Sequence, residues 1–278
     1  MKVIHQSVVI IPLYKEAFSE TETFSFNRTL EILYQYPVII ICPESLAQNF
    51  NQQKLAWPHP NINIQPFANT FFLGIAGYNR LLKSRFFYES FKQFEYMLLV
   101  QTDALIITDQ LKDWCQKGYS YVGAPFFVGF ANPSRPLTFF GVGNGGISLR
   151  RIPDFIKAAS PLLYIPNILA QNPKSLFDSF GICRFIKHRI LFSINRWPLF
   201  PRINEDVYWG VLIPRYFSFF KVPKPEEALQ FAFDAEPRYL FELNQHQLPF
   251  ACHAWEKFDI SFWREILLQQ GITLPLEK

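Results

Sequence analysis

The sequence is poor in charge and has no long apolar run. Of its 278 residues only 18% are charged, whereas 49% are hydrophobic and 18% aromatic, with 31 Phe among them. A chain so rich in core-forming residues is folded rather than disordered throughout. Its apolar stretches, such as Val8–Leu13 and Val38–Cys42, are strand-length and far short of the ~20 residues a membrane-spanning helix needs. The stretch Met1–Ser7 shows no signal-peptide core and no small-residue cleavage site, so a cytoplasmic location is expected. Four cysteines, Cys42, Cys115, Cys183 and Cys252, are widely dispersed and make no CxxC pair. That spacing argues against a zinc site or a disulfide framework and for reduced thiols. No composition shift marks a boundary, and a single domain over residues 1–278 is expected.

Net charge is a modest +4, and its placement says more than its size. Between Lys174 and Arg202 six Lys or Arg stand against one Asp, interleaved with Phe185, Phe192 and Trp197. This basic, aromatic segment reads as an insertion at about 160–202. One reading lays residues 182–200 on an anionic membrane surface or against an anionic acceptor. The other is a helix that buries its apolar face and solvates its basic one. No nucleic-acid-binding module is recognisable.

The stretch around which the rest is arranged is Tyr96–Ile106. Its apolar run reads as a strand buried on both faces, as in a parallel sheet, with Gln101 and Asp103 on one side and Thr102 on the other. An Asp at a strand end can be a mere turn former or helix cap. Asp103, however, is followed by Ala104–Ile107 rather than by turn residues. A carboxylate with apolar neighbours on both sides needs a cation or several donors. A divalent metal holding a diphosphate would satisfy it, at the sheet edge where α/β proteins bind ligands.

Upstream, Ser7–Tyr14 and Val38–Cys42 read as buried strands and Asn61–Phe67 as a strand exposed on one face. Helical spacing marks residues 26–36, with Ser25 or Asn27 able to cap, and a long stretch from about Leu73 to Phe94. Downstream, a short helix over 109–117 precedes a strand at Tyr119–Pro125 and a polar loop over 126–140. Alternating strands and helices in the first hundred residues predict an α/β fold with a mostly parallel central sheet flanked by helices.

Three further clusters carry chemistry. Four of the 12 glycines fall in Gly141–Gly146. They form either a tight hairpin with a bulge or a backbone platform facing a ligand. The segment has neither the Lys-Ser/Thr ending of a P-loop nor the spacing of a dinucleotide fold, and a sugar suits it better. Glu205-Asp206 precede an amphipathic helix, where they either exploit its N-terminus or supply a general base. His253, between small residues and beside aromatics, is a core histidine or the second ligand of a metal site with Asp103.

With these pieces in place, the chain resembles GT-A-type glycosyltransferases. More closely it resembles a largely uncharacterised glycosyltransferase-like family with a Tyr-x-Gly-Ala-Pro step, a Gly-Asn-Gly-Gly-x-Ser-Leu-Arg loop, Glu-Asp-Val and Cys-His-Ala-Trp. Here these are Tyr121–Pro125, Gly143–Arg150, Glu205–Val207 and Cys252–Trp255. The resemblance implies one GT-A-like domain that binds a nucleotide sugar through Mn²⁺ or Mg²⁺. It places Pro12, Tyr14 and Lys15 at the base or ribose, with Asn79, Arg80 and Gln101 also on the nucleotide side. Asp103 and His253 would hold the metal, and Asn144, Gly145 and Gly146 would border the donor sugar. Glu205 or Asp206 would deprotonate the acceptor. Gln101 stands where an Asp-x-Asp motif has its first Asp, and supplies no charge.

The implied activity is transfer of a sugar, from a UDP-sugar by preference, to a glycan or lipid-linked acceptor in surface polysaccharide synthesis. One acidic pair without a second nucleophile inclines this reading to inversion. Two alternatives stay open: a sugar nucleotidyltransferase, or a non-catalytic nucleotide- or glycan-binding relic.

Overall fold

A computed structural model describes residues 5–159 and 203–275. The insertion at 160–202, with its membrane-facing reading and Cys183, lies outside the described residues. Among the described residues no helix is long and apolar enough to cross a membrane.

The central sheet has six strands in the order β3-β2-β1-β4-β7-β6. Strands β1 (His5–Pro12), β2 (Val38–Pro43), β3 (Ile62–Phe67) and β4 (Phe94–Val100) run parallel. Strand β7 (Phe139–Arg151) is antiparallel to both β4 and β6 (Tyr121–Phe127). The apolar runs Val8–Ile11 and Met97–Val100 are buried on both faces, as strands covered by helices on either side must be. One core layer gathers Val9, Ile11, Leu98 and Val100 with Leu30, the other Val8, Ile10, Met97 and Leu99 with Leu82.

A smaller sheet, in the order β5-β9-β8, stands beyond the end of β4. It comprises β5 (Ala104–Ile106), β8 (Ala232–Phe233) and β9 (Ala251–His253). The strand expected to end at Asp103 stops at Val100, and the apolar chain after Asp103 forms a second strand in the other sheet. The chain turns at Gln101–Asp103, and side-chain alternation does not carry across those three residues. The turn leaves one sheet and starts the other, which places Asp103 between them.

Helix α1 (Glu20–Ile32) starts earlier than its apolar spacing suggests. Its cap is Ser19, whose hydroxyl accepts from the Glu22 amide while the Glu22 carboxylate accepts from the Ser19 amide. This reciprocal pairing satisfies two otherwise orphaned donors. Ser25, expected as a cap, is buried and its hydroxyl accepts from Trp255 Nε1 at 3.0 Å. Arg28 donates to the carbonyls of Ile106 and Ile107. Helix α1 thus ties the two sheets together. Helix α2 (Ala47–Gln53) follows β2. The expected long helix after Leu73 is two, α3 (Gly74–Lys83) and α4 (Arg85–Glu89), broken at Ser84 in extended backbone. The helix expected over 109–117 is shorter, α5 (Leu111–Gln116), and α6 (Ile152–Ala158) follows β7.

Candidate active site

The glycine segment is part of neither a hairpin turn nor a separate loop. It lies within β7. Gly123 on β6 pairs with Ser148, and the next residue, Ala124, pairs with Gly143, so residues 144–147 bulge out of the β6 ladder. On its other side the same stretch stays attached to β4: Val100 pairs with Ile147, and the Gln101 amide donates to the Gly146 carbonyl at 2.7 Å. Asn144 takes a left-handed backbone, φ 82°, which Asn tolerates better than most residues. Its side-chain oxygen accepts from the Gly146 amide at 2.8 Å and closes the bulge. Tyr121 Oη donates to the Asn144 carbonyl from below.

Two glycines of the bulge are required by what lies over them. A Cβ at Gly146 would collide with the His253 ring, and one at Gly145 would come within 2.6 Å of Glu205 Oε1. The glycines let the Cys-His-Ala-Trp strand and the Glu-Asp helix close on the backbone from different directions. The Gly145 amide donates to Asp206 Oδ2 at 3.3 Å, and Asn144 Nδ2 lies 3.1 Å from His253 Nδ1.

His253 is held between two carboxylates. Nδ1 is 3.1 Å from Asp234 Oδ1 and Nε2 is 3.4 Å from Asp103 Oδ2. Burial pulls its pKa down, but the hydrogen bonds and charges of Asp103 and Asp234 outweigh it and push it up to about 10. Burial disfavours ionised Asp103, yet His253 and Lys15 hold that carboxyl below its ordinary value. Asp103 and His253 also share a backbone link, since the Ala254 amide donates to the Asp103 carbonyl.

Glu205 and Asp206 part company. Glu205 is buried, and its Oε1 accepts from Arg150 Nη2 at 2.9 Å, with Arg150 itself fully buried. Arg150 also donates to Ser148 Oγ and Tyr88 Oη. Burial opposes the Arg150 charge, but Glu205 beside it keeps the guanidinium protonated. Glu205, expected as a candidate base, is engaged through Oε1 by this ion pair, and burial raises its pKa against the Arg150 charge. Asp206 is partly exposed. Burial raises its pKa against the opposing hydrogen bonds of the Val207 and Gly145 amides, the direction that suits a general base.

The residues expected on the nucleotide side fall into two groups. Pro12 ends β1 and Tyr14 is 58% exposed just beyond it. Lys15 pairs with Glu22 at 2.7 Å and lies within electrostatic reach of Asp103. Gln101 begins the turn into Asp103, and Thr102 Oγ1 donates to Glu22. Asn79 is different. Its Nδ2 donates to Asn204 and its Oδ1 accepts from the Glu205 amide. Both ends of this amide fasten the start of the Glu205–Val207 helix. Arg80 turns away, donating to the Thr70 carbonyl and lying over the Phe71 ring.

Asp234 and Arg150 are the participants that sequence reasoning missed. Asp234 follows strand β8 as Asp103 follows β4, and the same signal marks it, a carboxylate among apolar residues. Arg150 lies in the Ser-Leu-Arg end of the glycine motif, where its charge in a buried strand implies a buried acidic partner.

Among the described residues no group of three or more His, Cys, Asp or Glu side chains comes together to hold a metal. The pair Asp103 and His253 nevertheless fits a hard divalent cation as a partial ligand set. His253 Nε2 is buried and, among the described residues, approaches only Asp103 Oδ2, at a long 3.4 Å, while its other nitrogen is oriented by Asp234. A carboxylate behind the ring is the usual support of a metal-ligating histidine.

One family model matches, over residues 61–253, and its description is a protein of unknown function, DUF5672. This chain belongs to that family. The matched stretch of DUF5672 spans Asp103, the glycine bulge, Glu205-Asp206 and Asp234, and ends on His253. Among solved structures, an active-site mutant of LgtC matches over 98% of both chains at 10% identity, TM-score 0.52. The galactosyltransferase LgtC in complex with donor and acceptor sugar analogues matches over the same shares at 10% identity, TM-score 0.51. GlyE of Streptococcus pneumoniae TIGR4 matches at 10% identity and TM-score 0.49, over 99% of this chain and 66% of GlyE, so this chain spans just under two thirds of GlyE's length. No curated protein matches. The fold is GT-A-like, mixed α/β with a mostly parallel central sheet.

Proposed function

We propose that the chain is a glycosyltransferase that moves a sugar from a nucleotide-sugar donor, a UDP-sugar by preference, to a glycan or lipid-linked acceptor. The observation that carries this reading is the convergence on one bulge of Asp103, His253 and Asp206, from three distant parts of the sequence. Asp103 and His253 sit on one side of Asn144–Gly146 and Asp206 on the other. The likeness to LgtC in fold supports it, and so does the donor and acceptor sugar binding of that protein.

In this reading the nucleotide lies along the carboxyl edge of β1 and β4, beside Tyr14 and Lys15, with Lys15 facing its phosphates. Asp103 and His253 would hold a Mn²⁺ or Mg²⁺ ion. When bound, such an ion supplies Lewis-acid stabilisation of a departing diphosphate. Asn144, Gly145 and Gly146 would border the donor sugar through the backbone of the bulge, the space over the two glycines being taken by His253 and Glu205. Asp206 Oδ2 takes the proton of the acceptor hydroxyl as it attacks, and its raised pKa makes it the stronger base for that transfer. Direct attack inverts the anomeric centre. Surface polysaccharide synthesis is the setting proposed for this transfer.

The test is a thermal-shift screen of UDP, GDP, CMP and dTDP and their sugars, each with Mn²⁺ and with EDTA. A ligand present at 100 times its dissociation constant stabilises the folded state by ~2.7 kcal/mol. The expected result is a Mn²⁺-dependent shift with one nucleotide that Asp103→Asn abolishes. A shift that is the same with EDTA removes Asp103 and His253 from a metal site. No shift with any nucleotide refutes the donor.

A further inference from the structure

The tip of the β6–β7 hairpin displays aromatic rings for which the nucleotide and Asp206 leave no task. Phe130 and Phe140 are 43% and 40% exposed, and Val128 beside them 44%. Their ring centroids stand 5.4 Å apart, and Phe130 packs at 5.2 Å on Phe126. Phe140 lies at the second irregularity of the ladder, where Phe126 pairs with Gly141 but Phe127 with Phe139, so it is an extra residue without a partner. Such a bulge re-aims a side chain.

The hairpin tip is rigidly built. Phe130 holds a left-handed backbone, φ 54°, next to Gly129 at φ 95°. That conformation is unusual for a bulky residue, and residues held this way cluster where function requires them. The Val128, Phe130, Asn132 and Ser134 amides all donate within the tip. Arg135 reaches out and pairs with Glu236 at 2.9 Å, two residues past Asp234. The tip thus carries charge at its rim and rings at its centre on a backbone tied by its own hydrogen bonds.

The tip is also continuous with the candidate site. Gly141 and Gly143, two apart on β7, share a face. Gly141 is covered by Val211, on the helical stretch that carries Asp206, and a Cβ at Gly143 would collide with the Phe126 ring. The rings thus extend outward from the glycine bulge on the Asp206 side. The sheet order β1-β4-β7-β6 puts them two strands away from Tyr14 and Lys15.

Flat apolar rings flanked by polar groups suit a ligand that is itself flat, apolar on its C–H face and polar at its edge. A pyranose ring has that form, because its axial C–H groups carry partial positive charge and the ring faces partial negative charge. We propose that Phe130 and Phe140, whose rings meet edge to face at 68°, form an aromatic platform on which a pyranose of the acceptor glycan stacks against one ring and packs against the other, one step outward from the hydroxyl that Asp206 deprotonates. The assignment rests on the glycosyltransferase reading for the word acceptor, but not for the binding of a sugar.

Saturation-transfer NMR on the whole protein tests it, with methyl glycosides of glucose, galactose and N-acetylglucosamine and with methyl β-lactoside, each at several millimolar. At least one glycoside should receive saturation on its C–H face. Phe130→Leu and Phe140→Leu keep the apolar volume but remove the ring, and each should weaken binding about fivefold. Phe130→Tyr should retain it. The shift produced by the nucleotide of the screen above should be unchanged in all three variants. The platform is refuted if no glycoside binds the wild-type protein, or if both leucine variants bind as well as wild type. It is refuted too if the rings are needed for nucleotide binding, or if the substitutions instead abolish a concentration-dependent self-association in sedimentation. Glycoside binding without any nucleotide shift sinks the donor reading and leaves the platform standing.

Discussion

Arg150 Nη2 donates to Glu205 Oε1 at 2.9 Å, and neither side chain reaches solvent. The pair joins the end of the glycine motif to the start of the Glu-Asp helix, so it fixes the distance across which Asp206 meets Gly145. A buried pair is worth little against an apolar replacement, but losing one partner strands the other charge. Arg150→Met should therefore destabilise the protein by about 3–5 kcal/mol in urea unfolding. Adding Glu205→Gln to that variant should recover part of the loss. Equal stability of Arg150→Met and wild type would mean that Glu205 is neutral in the fold.

Among the described residues Asp206 makes no such side-chain pair and accepts only from the Val207 and Gly145 amides. Asp206→Asn should lower turnover by about 10²–10⁴-fold while the nucleotide shift persists. Burial raises the pKa of this carboxyl, so it gains its proton at a higher pH than a free aspartate. The acid limb of the pH–rate profile should consequently fall above the usual aspartate range and vanish in the variant. A fully active Asp206→Asn enzyme would take the base away from this helix.

The parallel core is legible in the sequence because β1, β2 and β4 are unbroken apolar runs, and such runs have few alternatives in a sheet covered on both faces. The same criterion fails at Gln101–Asp103. Ala104–Ile106 is equally apolar, and nothing local tells a continuing strand from one that turns into a second sheet. Apolar spacing starts helix α1 too late because its first turn, Glu20–Thr23, has no apolar face, although Ser19 and Glu22 carry the capping-box spacing. In the site, Asp103, the glycines, Asp206 and His253 are readable as chemistry without a charge partner nearby in sequence. The surroundings of Asn79 and Glu205 are not legible, for the converse reason. Their hydrogen-bond partners, Asn204 and Arg150, come from remote segments that only the fold brings close.

Gly146 is a test of the bulge itself. Its backbone could accept alanine conformationally, since its φ is not in the left-handed region, so only space opposes the change. The neighbour is the His253 ring, fixed by Asp234 and Asp103, which has little freedom to yield. Gly146→Ala should displace His253, lower the melting temperature and weaken the Mn²⁺-dependent part of any nucleotide shift. Gly118→Ala serves as the control for strain without crowding, because that glycine is left-handed, φ 71°, and among the described residues nothing lies within 4 Å of where its Cβ would stand. It should cost stability and leave the metal dependence intact.

His253 gives the protein a pH signature of its own. In the metal-free protein its pKa stands at about 10 against an ordinary 6.5, because the two aspartates outweigh the cost of burial. A raised histidine contributes stability that is complete below the unfolded value and disappears as pH climbs through the folded one. With EDTA present, the unfolding free energy should fall between pH 6.5 and about 10, by on the order of a few kcal/mol. Lysines and tyrosines titrate near the upper end of this window, so the quantity to follow is the difference between wild type and His253→Gln in parallel urea titrations. That difference should favour wild type at pH 6 and shrink toward pH 10. A difference independent of pH would mean that the ring between Asp103 and Asp234 is neutral at pH 6, and that the two carboxylates do not hold a proton on it.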